Sequence, residues 1–575
     1  MRDHERFTRR DFLSATAGTV VGLWLSQMFS LKAAQGNQDA AAARDQRKAV
    51  GRRQGEPIEL AGKRLIFTHY HYIRPAGFGW YDDKGNNITV AGTAGLWDAN
   101  IRVVDAPVGI RIVAYPAERS LGPHPGIPAA RPWEEGRISL GHTFYDEEDG
   151  LFKTWTTCSA KGQSHRCYLQ SKDFENWERP ELGVVEFDGS KNNNLIEADD
   201  LGWIFKDPSS REERWKWVGE RNITRHEYEE FQRKRPRDWD PRSDRVDVPQ
   251  ETNVGPGNLI LAVRGGVSPD GFRWKTLPEP LVVEHADTIN TAYYDTRLKK
   301  CVAYFRNWVM PDRSPNAPTD DRGLSWMAGR RSIGRSETDD FRRFPLSQTI
   351  LTPGPDIMGP SDTLYTNGHT FVPLAPDQHL FFPTIWHQIN DSTSVAVASS
   401  LDGKLLHWLP GNPVLTTAPF GQWDGGCLFA SGSLMELPDG RWILPYGGSN
   451  VPHKYPRKGA IQGGLGFATW KKGRLVAVEA QERGQFTTFA LMPPGRKIRI
   501  NALTARGGSV LVEITDGSRK PVPGRSFEDC KPIIGDQYKT LVTWKGGEDI
   551  GVPEGTPICL RFRLDQANIF FLDFE

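Results

Sequence analysis

A short element recurs along this chain and limits what it can fold into: a serine, an aspartate two or three residues on, and an aromatic residue shortly after. It reads Ser171-Lys-Asp173-Phe-Glu-Asn-Trp177, then Ser268-Pro-Asp270-Gly271-Phe-Arg-Trp274, then Ser336-Glu-Thr-Asp339-Asp340-Phe341. A longer copy is Ser400-Leu-Asp402-Gly403-Lys-Leu-Leu-His-Trp408, and a degenerate fifth ends at Ala468-Thr-Trp470. The four serines lie 97, 68 and 64 residues apart. Between copies run short β-branched and aromatic segments broken by polar turns, as in Tyr293-Tyr-Asp295 and Cys301-Val-Ala-Tyr-Phe305 within the unit Val283 to Phe344. Such units read as small antiparallel meanders. Repeated at this period, they cannot bury their faces alone and must stack radially on neighbours.

The expected fold is therefore all-β, a five-bladed β-propeller followed by a C-terminal β-sandwich. The blades fall at about 138–182, 194–281, 283–344, 361–415 and 423–479. The second carries a charged insertion, Arg221 to Gly255, expected as a surface loop or short helix. Beyond Glu479 short alternating strands such as Lys497-Ile-Arg-Ile-Asn501 and Ser509-Val-Leu-Val-Glu-Ile514 suggest the sandwich. The layout is a signal peptide (1–34), a disordered linker (35–60), the propeller with a β-rich lead-in (61–480) and the sandwich (481–575).

At the N-terminus Thr8-Arg9-Arg10-Asp11-Phe12-Leu13 precedes a modestly apolar run, Ser14 to Leu31, which matches a twin-arginine export signal. The mature protein is then expected outside the cytoplasm, periplasmic or secreted and without a membrane span. Normal export of an Arg9→Lys, Arg10→Lys variant would exclude that reading. Six cysteines without a CxxC pair form no metal pattern; Cys158 with Cys167, and Cys530 with Cys559, are the pairs that proximity in sequence offers. His69-Tyr-His71 has strand spacing that puts two imidazoles on one face, but no third ligand stands near. Neither a metal nor a cofactor is expected. The 72 basic residues balance 71 acidic ones with no basic stripe, so nucleic acid is not an expected partner and a neutral or mildly charged ligand is; with a few of the 19 tryptophans read as stacking on sugar rings, that ligand is expected to be a carbohydrate.

Residues just before the innermost strand of each blade ring one axial pocket. Acids recur there: Asp199 and Asp200, Asp287, Asp362 and Asp424, with His142 in the first blade. Glycoside hydrolysis needs two carboxyl groups, about 5 Å apart for retention or about 6.5 to 9.5 Å for inversion. Asp287 and Asp362 are the expected catalytic pair, with His142, Asp200, Asn290, Tyr365 and Asp424 contacting sugar. Two alternatives stand beside hydrolysis. One is a polysaccharide lyase drawing on His142, His285, His369, His387 and Tyr365; the other is a glycan-binding propeller without catalysis.

The chain resembles the β-fructosidase group, glycoside hydrolase family 32, and its propeller relatives in family 43. More closely, Tyr145-Asp-Glu-Glu-Asp-Gly-Leu-Phe-Lys153, the stretch from Pro180 to Asn193, Val510-Leu-Val-Glu-Ile-Thr-Asp-Gly517 and Glu528-Asp-Cys530 are similar to a family-32-like bacterial group. The resemblance spans roughly 130 to 575 and implies propeller, sandwich and glycan cleavage. The fructosidase hallmark Asn-Asp-Pro-Asn-Gly is absent from the first blade, so no catalytic residue is carried over from the family.

Overall fold

Five antiparallel sheets follow one another along the compact unit Ile58–Glu575. The computed structural model describes residues 56–81, 100–240, 260–309, 329–454, 461–517 and 519–575; the expected signal peptide and most of the expected linker lie outside them. The first sheet is His142–Asp146, Leu151–Ala160 and Gln163–Ser171, joined as a meander. The second comprises Trp203–Lys206, Trp215–Ile223, Ile260–Ser268 and Lys275–Thr276. The third runs Thr291–Asp295, Lys300–Val309, Arg330–Thr338 and Gln348–Leu351. The fourth opens with Asp362–Val372 and Ala375–His387, and the fifth is built on Cys427–Ala430, Trp442–Ser449 and Gly463–Trp470.

The recurring turn explains how neighbouring sheets are joined. In the second sheet Ser268 Oγ accepts from the backbone N–H of Gly271, while Asp270 Oδ1 accepts from those of Phe272 and Arg273. Ser171 with Asp173 and Ser400 with Asp402 repeat this arrangement. Such side-chain acceptors stand in for strand partners where the chain reverses. Gly271 takes φ +83, a left-handed conformation glycine adopts without strain, and its carbonyl accepts from Trp274 Nε1 of the same turn. That carbonyl accepts from Trp155 Nε1 of the preceding sheet at 2.8 Å, and Gly403 O accepts from Tyr304 OH of its preceding sheet at 3.0 Å. The turns of the second and fourth sheets thus fasten their own sheets to the ones before.

The third copy sits two residues later than the sequence pattern places it. Thr338 Oγ1 accepts from Asp340 N and Asp340 Oδ1 from Arg342 N, whereas Ser336 Oγ donates to Pro345 O. The hydroxyl-then-carboxylate spacing of two is kept by Thr338 and Asp340, and Ser336 only imitates it.

The first strands of the sheets lie side by side. His142 packs edge-on against Trp203 at 4.4 Å between centroids, Trp203 Nε1 donates to Ala292 O, and Tyr293 stacks on His369 at 4.9 Å. Tyr365 meets Phe429 at 5.4 Å, and the fifth sheet returns to the first through a buried cluster of Phe152, Met435, Leu437 and Ile443.

The last sheet differs from the sequence layout in its membership. Its centre is the pair of long strands Ile498–Thr515 and Cys559–Phe574, flanked by Val476–Thr487 and Asp536–Leu541. Two lead-in strands join it: Arg64–Ile66 pairs with Cys559–Phe574, and Arg111–Ala114 pairs with Val476–Thr487. The boundary drawn at 480 therefore runs through a strand, and residues more than 360 positions earlier in the chain complete the sheet. Among its buried polar residues is Arg64, whose guanidinium lies 3.9 Å over the Phe571 ring and forms a bidentate pair with Asp573 at 2.7 and 2.9 Å. Arg64 Nη1 also donates to Glu436 Oε2 at 2.6 Å, so Glu436 ties the fifth sheet to this one.

The described part of the charged insertion holds a helix, Arg225–Lys234. Thr224 and Glu227 cap it reciprocally, and Tyr228 and Phe231, three apart, bury against Ile223 and Ile260. All six cysteines are free thiols and buried. His69 and His71 lie at a single 3-10 turn, Tyr70–Tyr72, rather than on a strand; burial, with the His71 ring beside it, lowers the His69 pKa to about 3. Among the described residues no helix is long and apolar enough to cross a membrane.

Candidate functional site

The third sheet's second strand is longer than its first. Lys300–Val309 pairs with Thr291–Asp295 only as far as Tyr304, so Arg306 and Trp308, two apart and on one face, stand over the entrance of the first strand. Arg331 lies opposite Trp308 on the next strand. Asp287 arrives on the loop before Thr291. That loop is pinned by Asn290, whose amide donates to the Ala286 and Thr288 carbonyls, and by Glu284, which accepts from Ser347 N and Asn307 Nδ2.

Arg306 joins two sheets. Its side chain is 1% exposed; Nη1 pairs with the Asp287 carboxylate, Nη2 donates to Tyr365 O, and the guanidinium lies 4.6 Å over the Tyr365 ring. Tyr365 is presented at a register shift between Leu364 and Thr366 on the first strand of the fourth sheet. Its hydroxyl meets His453 Nε2 at 2.6 Å, from the loop following the fifth sheet's Trp442–Ser449 strand. The Arg331 guanidinium lies 5.0 Å from the Trp308 ring, 5.1 Å from Tyr365 and 5.9 Å from Trp386. Lys454 sets its ammonium 5.6 Å over the opposite partner, Trp386, while its backbone N–H donates to Asp391 Oδ2. Trp386 Nε1 donates to the other oxygen of Asp391, at 2.7 Å.

Burial would raise the Asp287 pKa, but the Arg306 charge, His285 at 3.6 Å and Arg331 more than reverse this and hold it well below the usual carboxylate range. Asp287 is therefore a fixed anion at any physiological pH. Lys454 is lowered from its usual range, first by burial and then by the neighbouring Arg331. The cluster thus offers an ionised carboxylate, a phenol–imidazole contact able to move a proton, and indole faces.

The structure places the expected residues differently from one another. Asp287 and Tyr365 come together through Arg306, and Asn290 shapes the loop that carries Asp287. Asp362 opens the fourth sheet's first strand, but Oδ2 accepts from Gly359 N at 2.8 Å and Oδ1 meets His387 Nδ1 at 3.0 Å. His387 Nε2 continues to Ser394 Oγ at 2.9 Å, so Asp362 and Asp287 share no hydrogen-bonding partner. Asp200 is paired with Arg221 and accepts from Leu201 N. Asp424 is fully buried and accepts from Tyr446 OH at 2.9 Å. His142 bonds Ile204 O at 2.8 Å, and burial lowers its pKa to about 4, so the ring is neutral.

His142 lines a different feature, a cavity of about 670 Å³ walled by Trp203, Tyr293, His369, Phe371 and Leu434. Arg306, Trp308, Arg331, His453 and Lys454 were not anticipated. For Arg306 and Trp308 a signal existed, the polar-and-aromatic alternation directly after the apolar run 301–305. His453 and Lys454 lie in a loop with no periodicity.

No family model matches the chain, and no curated protein matches it. Solved structures similar to it include the Bombyx mori GH32 beta-fructofuranosidase, at 9% identity over 76% of this chain and 91% of that one, TM-score 0.29. The sucrose-6-phosphate hydrolase from Lactobacillus gasseri matches at 10% identity over 75% and 90%, TM-score 0.30. An N-acetylgalactosamine deacetylase from F. plautii, in complex with blood group B trisaccharide, matches at 12% over 62% and 96%, TM-score 0.34. At these values no activity is transferred from any of them.

Proposed function

We propose that the five sheets are the blades of a β-propeller and that the protein is an exported glycoside hydrolase acting at the Asp287–Tyr365 cluster. The observation that carries this is Arg306, which pairs with the Asp287 carboxylate and donates to the Tyr365 carbonyl, so holding both residues in one place, the tyrosine hydroxyl meeting an imidazole at 2.6 Å. Asp287 serves as the negative group beside the anomeric carbon, where positive charge develops. The Tyr365–His453 pair supplies and recovers the proton of the departing oxygen. Trp308 and Trp386 give sugar rings apolar faces to lie on. Asp362, through Gly359 and His387, fixes the strand entrance three residues before Tyr365 and is a positioning residue in this reading, in place of the carboxyl pair expected from sequence.

A second reading, β-elimination, is favoured by the Tyr365–His453 contact itself, since elimination needs a base of that kind and a neighbouring charge neutraliser. Incubating the mature protein with a panel of neutral and uronic-acid polysaccharides separates the two. Reducing ends without unsaturated-product absorbance are the expected result; both signals together would replace hydrolysis by elimination. Neither signal on any glycan would remove the catalytic reading.

A further inference from the structure

Three neighbouring strands of the fourth sheet set a carboxylate, an imidazole and a hydroxyl in line. Asp362 and His387 lie directly opposite one another on Asp362–Val372 and Ala375–His387, and His387 is in turn opposite Ser392 on Ser392–Val395. Ser394, two residues on, shares the face of Ser392 and is the diagonal neighbour of His387. Asp362 Oδ2 is held by Gly359 N, and Oδ1 accepts from His387 Nδ1 at 3.0 Å. The other ring nitrogen, Nε2, then lacks a proton and accepts from Ser394 Oγ at 2.9 Å. Neither adjacent hydroxyl competes, since Ser392 Oγ donates to Asn390 Oδ1 and Thr393 Oγ1 to Leu428 O. Trp386, which belongs to the cluster around Arg306, precedes His387 on its strand and so points to the opposite face.

This chain of hydrogen bonds ends at an opening. Ser394 and the half-buried His387 border a cavity of about 190 Å³ walled by Ile357, Ile385, Asn412, Thr416 and Thr417. Thr416 lies directly opposite Ser394 on Leu415–Thr416, so the two side chains share a face, and the Thr416 hydroxyl has no hydrogen-bonding partner among the described residues. The Asn412 amide is committed to the Val397 and Leu409 carbonyls. A hydroxyl alone is a weak nucleophile, but beside an imidazole that a carboxylate orients it attacks acyl carbons. A serine that only filled space in a sheet would bond a nearby backbone carbonyl, as Thr393 does. Ser394 instead bonds the one ring nitrogen able to take its proton, at the wall of a cavity.

We propose that Ser394, His387 and Asp362 form a second catalytic site, which hydrolyses esters of short acyl groups. Ser394 Oγ attacks the ester carbonyl carbon while its proton passes to His387 Nε2. The C–O bond to the alcohol then breaks, and the alcohol leaves with that proton. Water attacks the acyl-serine and gives a proton to Nε2; the carboxylic acid departs and the serine hydroxyl is restored, so ester and water become alcohol and acid. Asp362 keeps the ring in the tautomer that accepts at Nε2 and balances its charge once protonated. Thr416 Oγ1 supplies a donor for the oxygen that becomes negative. A cavity of about 190 Å³ holds an acyl group of a few carbons, with the alcohol portion outside. Ser394 and Thr416 take no part in the Arg306 cluster, so this activity stands or falls apart from glycan cleavage.

Two measurements test this. The folded wild-type protein is treated with dimethyl 4-nitrophenyl phosphate, whose small methoxy groups suit the cavity, and the modified residue is located by peptide mass mapping. Ser394 is expected to be phosphorylated, and at a rate lower by at least about 10² in His387→Gln. Rates on p-nitrophenyl acetate and p-nitrophenyl octanoate are then compared between the wild-type protein and Ser394→Ala. For the acetate kcat/KM is expected to fall by at least about 10² in Ser394→Ala. In the wild-type protein it is expected to exceed that for the octanoate by about tenfold or more. Labelling of the wild-type protein needs no variant, so it decides even where Ser394→Ala does not fold. Ser394 left unmodified in the folded wild-type protein, or modified equally fast in His387→Gln, overturns the inference, as does acetate hydrolysis that survives in Ser394→Ala. Equal values for acetate and octanoate would overturn the restriction to short acyl groups. None of these results touches the Arg306 cluster, which the polysaccharide panel tests.

Discussion

Asp287→Asn is expected to lower turnover by at least about 10² while the protein stays folded, since removing a group that carries acid–base or charge-stabilising chemistry costs that much. The amide keeps the shape and one hydrogen-bond acceptor for Arg306, so the lost quantity is the negative charge. If Asp287 served only as the counter-ion of the buried Arg306, its replacement would cost stability, by as much as about 3–5 kcal/mol, and leave turnover of the folded protein nearly unchanged. Kinetics on the substrate found by the panel decide between these. The same variant has a pH signature. Asp287 is held below its unfolded value of about 3.9, so its ionisation contributes stability that is complete above that pH and is lost as pH falls through the lower folded value. Melting temperatures followed downward from pH 5 should therefore fall more steeply in the wild-type protein than in Asp287→Asn. Parallel curves would show that the Arg306 pair is not what holds the carboxyl ionised.

The second large effect lies away from the site, at Arg64. This side chain is fully buried and satisfies two carboxylates, Asp573 on its own sheet and Glu436 on the fifth. Arg64→Met keeps most of the volume and the packing on Phe571 but leaves both acids without their main counter-charge. Lys539 remains at 3.0 Å from Glu436 and 3.8 Å from Asp573, too far from the latter to replace a bidentate pair. Breaking a buried pair from one side costs about 3–5 kcal/mol. Denaturant titration of Arg64→Met should show a loss of that order, and Arg64→Met with Asp573→Leu and Glu436→Gln should recover much of it. A single variant within about 0.5 kcal/mol of wild type would mean that the contact between the fifth sheet and the terminal sheet does not depend on this charge network.

What the sequence shows of this molecule is what local chemistry decides. The Ser-x-Asp turns are legible because their hydrogen bonds close within three residues, and the strands between them because apolar runs and turn residues alternate. Ser336 misleads for the same reason: a nearby Thr338-x-Asp340 satisfies the identical geometry, and only the partner of each hydroxyl distinguishes them. The terminal sheet is half legible: Lys497–Asn501 and Ser509–Ile514 read as separate short strands, and the structure joins them into the one long strand Ile498–Thr515. The pairing of Arg64 with Asp573 spans 509 residues and leaves no local trace.

The site divides along the same line. Asp287 and Tyr365 could be picked out by position before and within a first strand. Their companions arrive from an overshooting second strand and from a loop of the next sheet, where register and loop path, not composition, bring Arg306 and His453 within reach. Asp424 shows the converse. Its position beside Cys427 matches that of Asp287 beside Thr291, yet packing against Trp423 and Tyr446 closes it off entirely.

The central claim, that the Asp287–Tyr365 cluster is where a glycosidic bond is held for cleavage, is tested most directly by a crystal structure of Asp287→Asn soaked with an oligosaccharide of the cleaved type. Sugar rings are predicted against Trp308 and Trp386, with a glycosidic oxygen within hydrogen-bond reach of Tyr365 OH or His453. An oligosaccharide seated instead in the cavity beside His142 and Trp203, with the cluster around Arg306 empty, would contradict it.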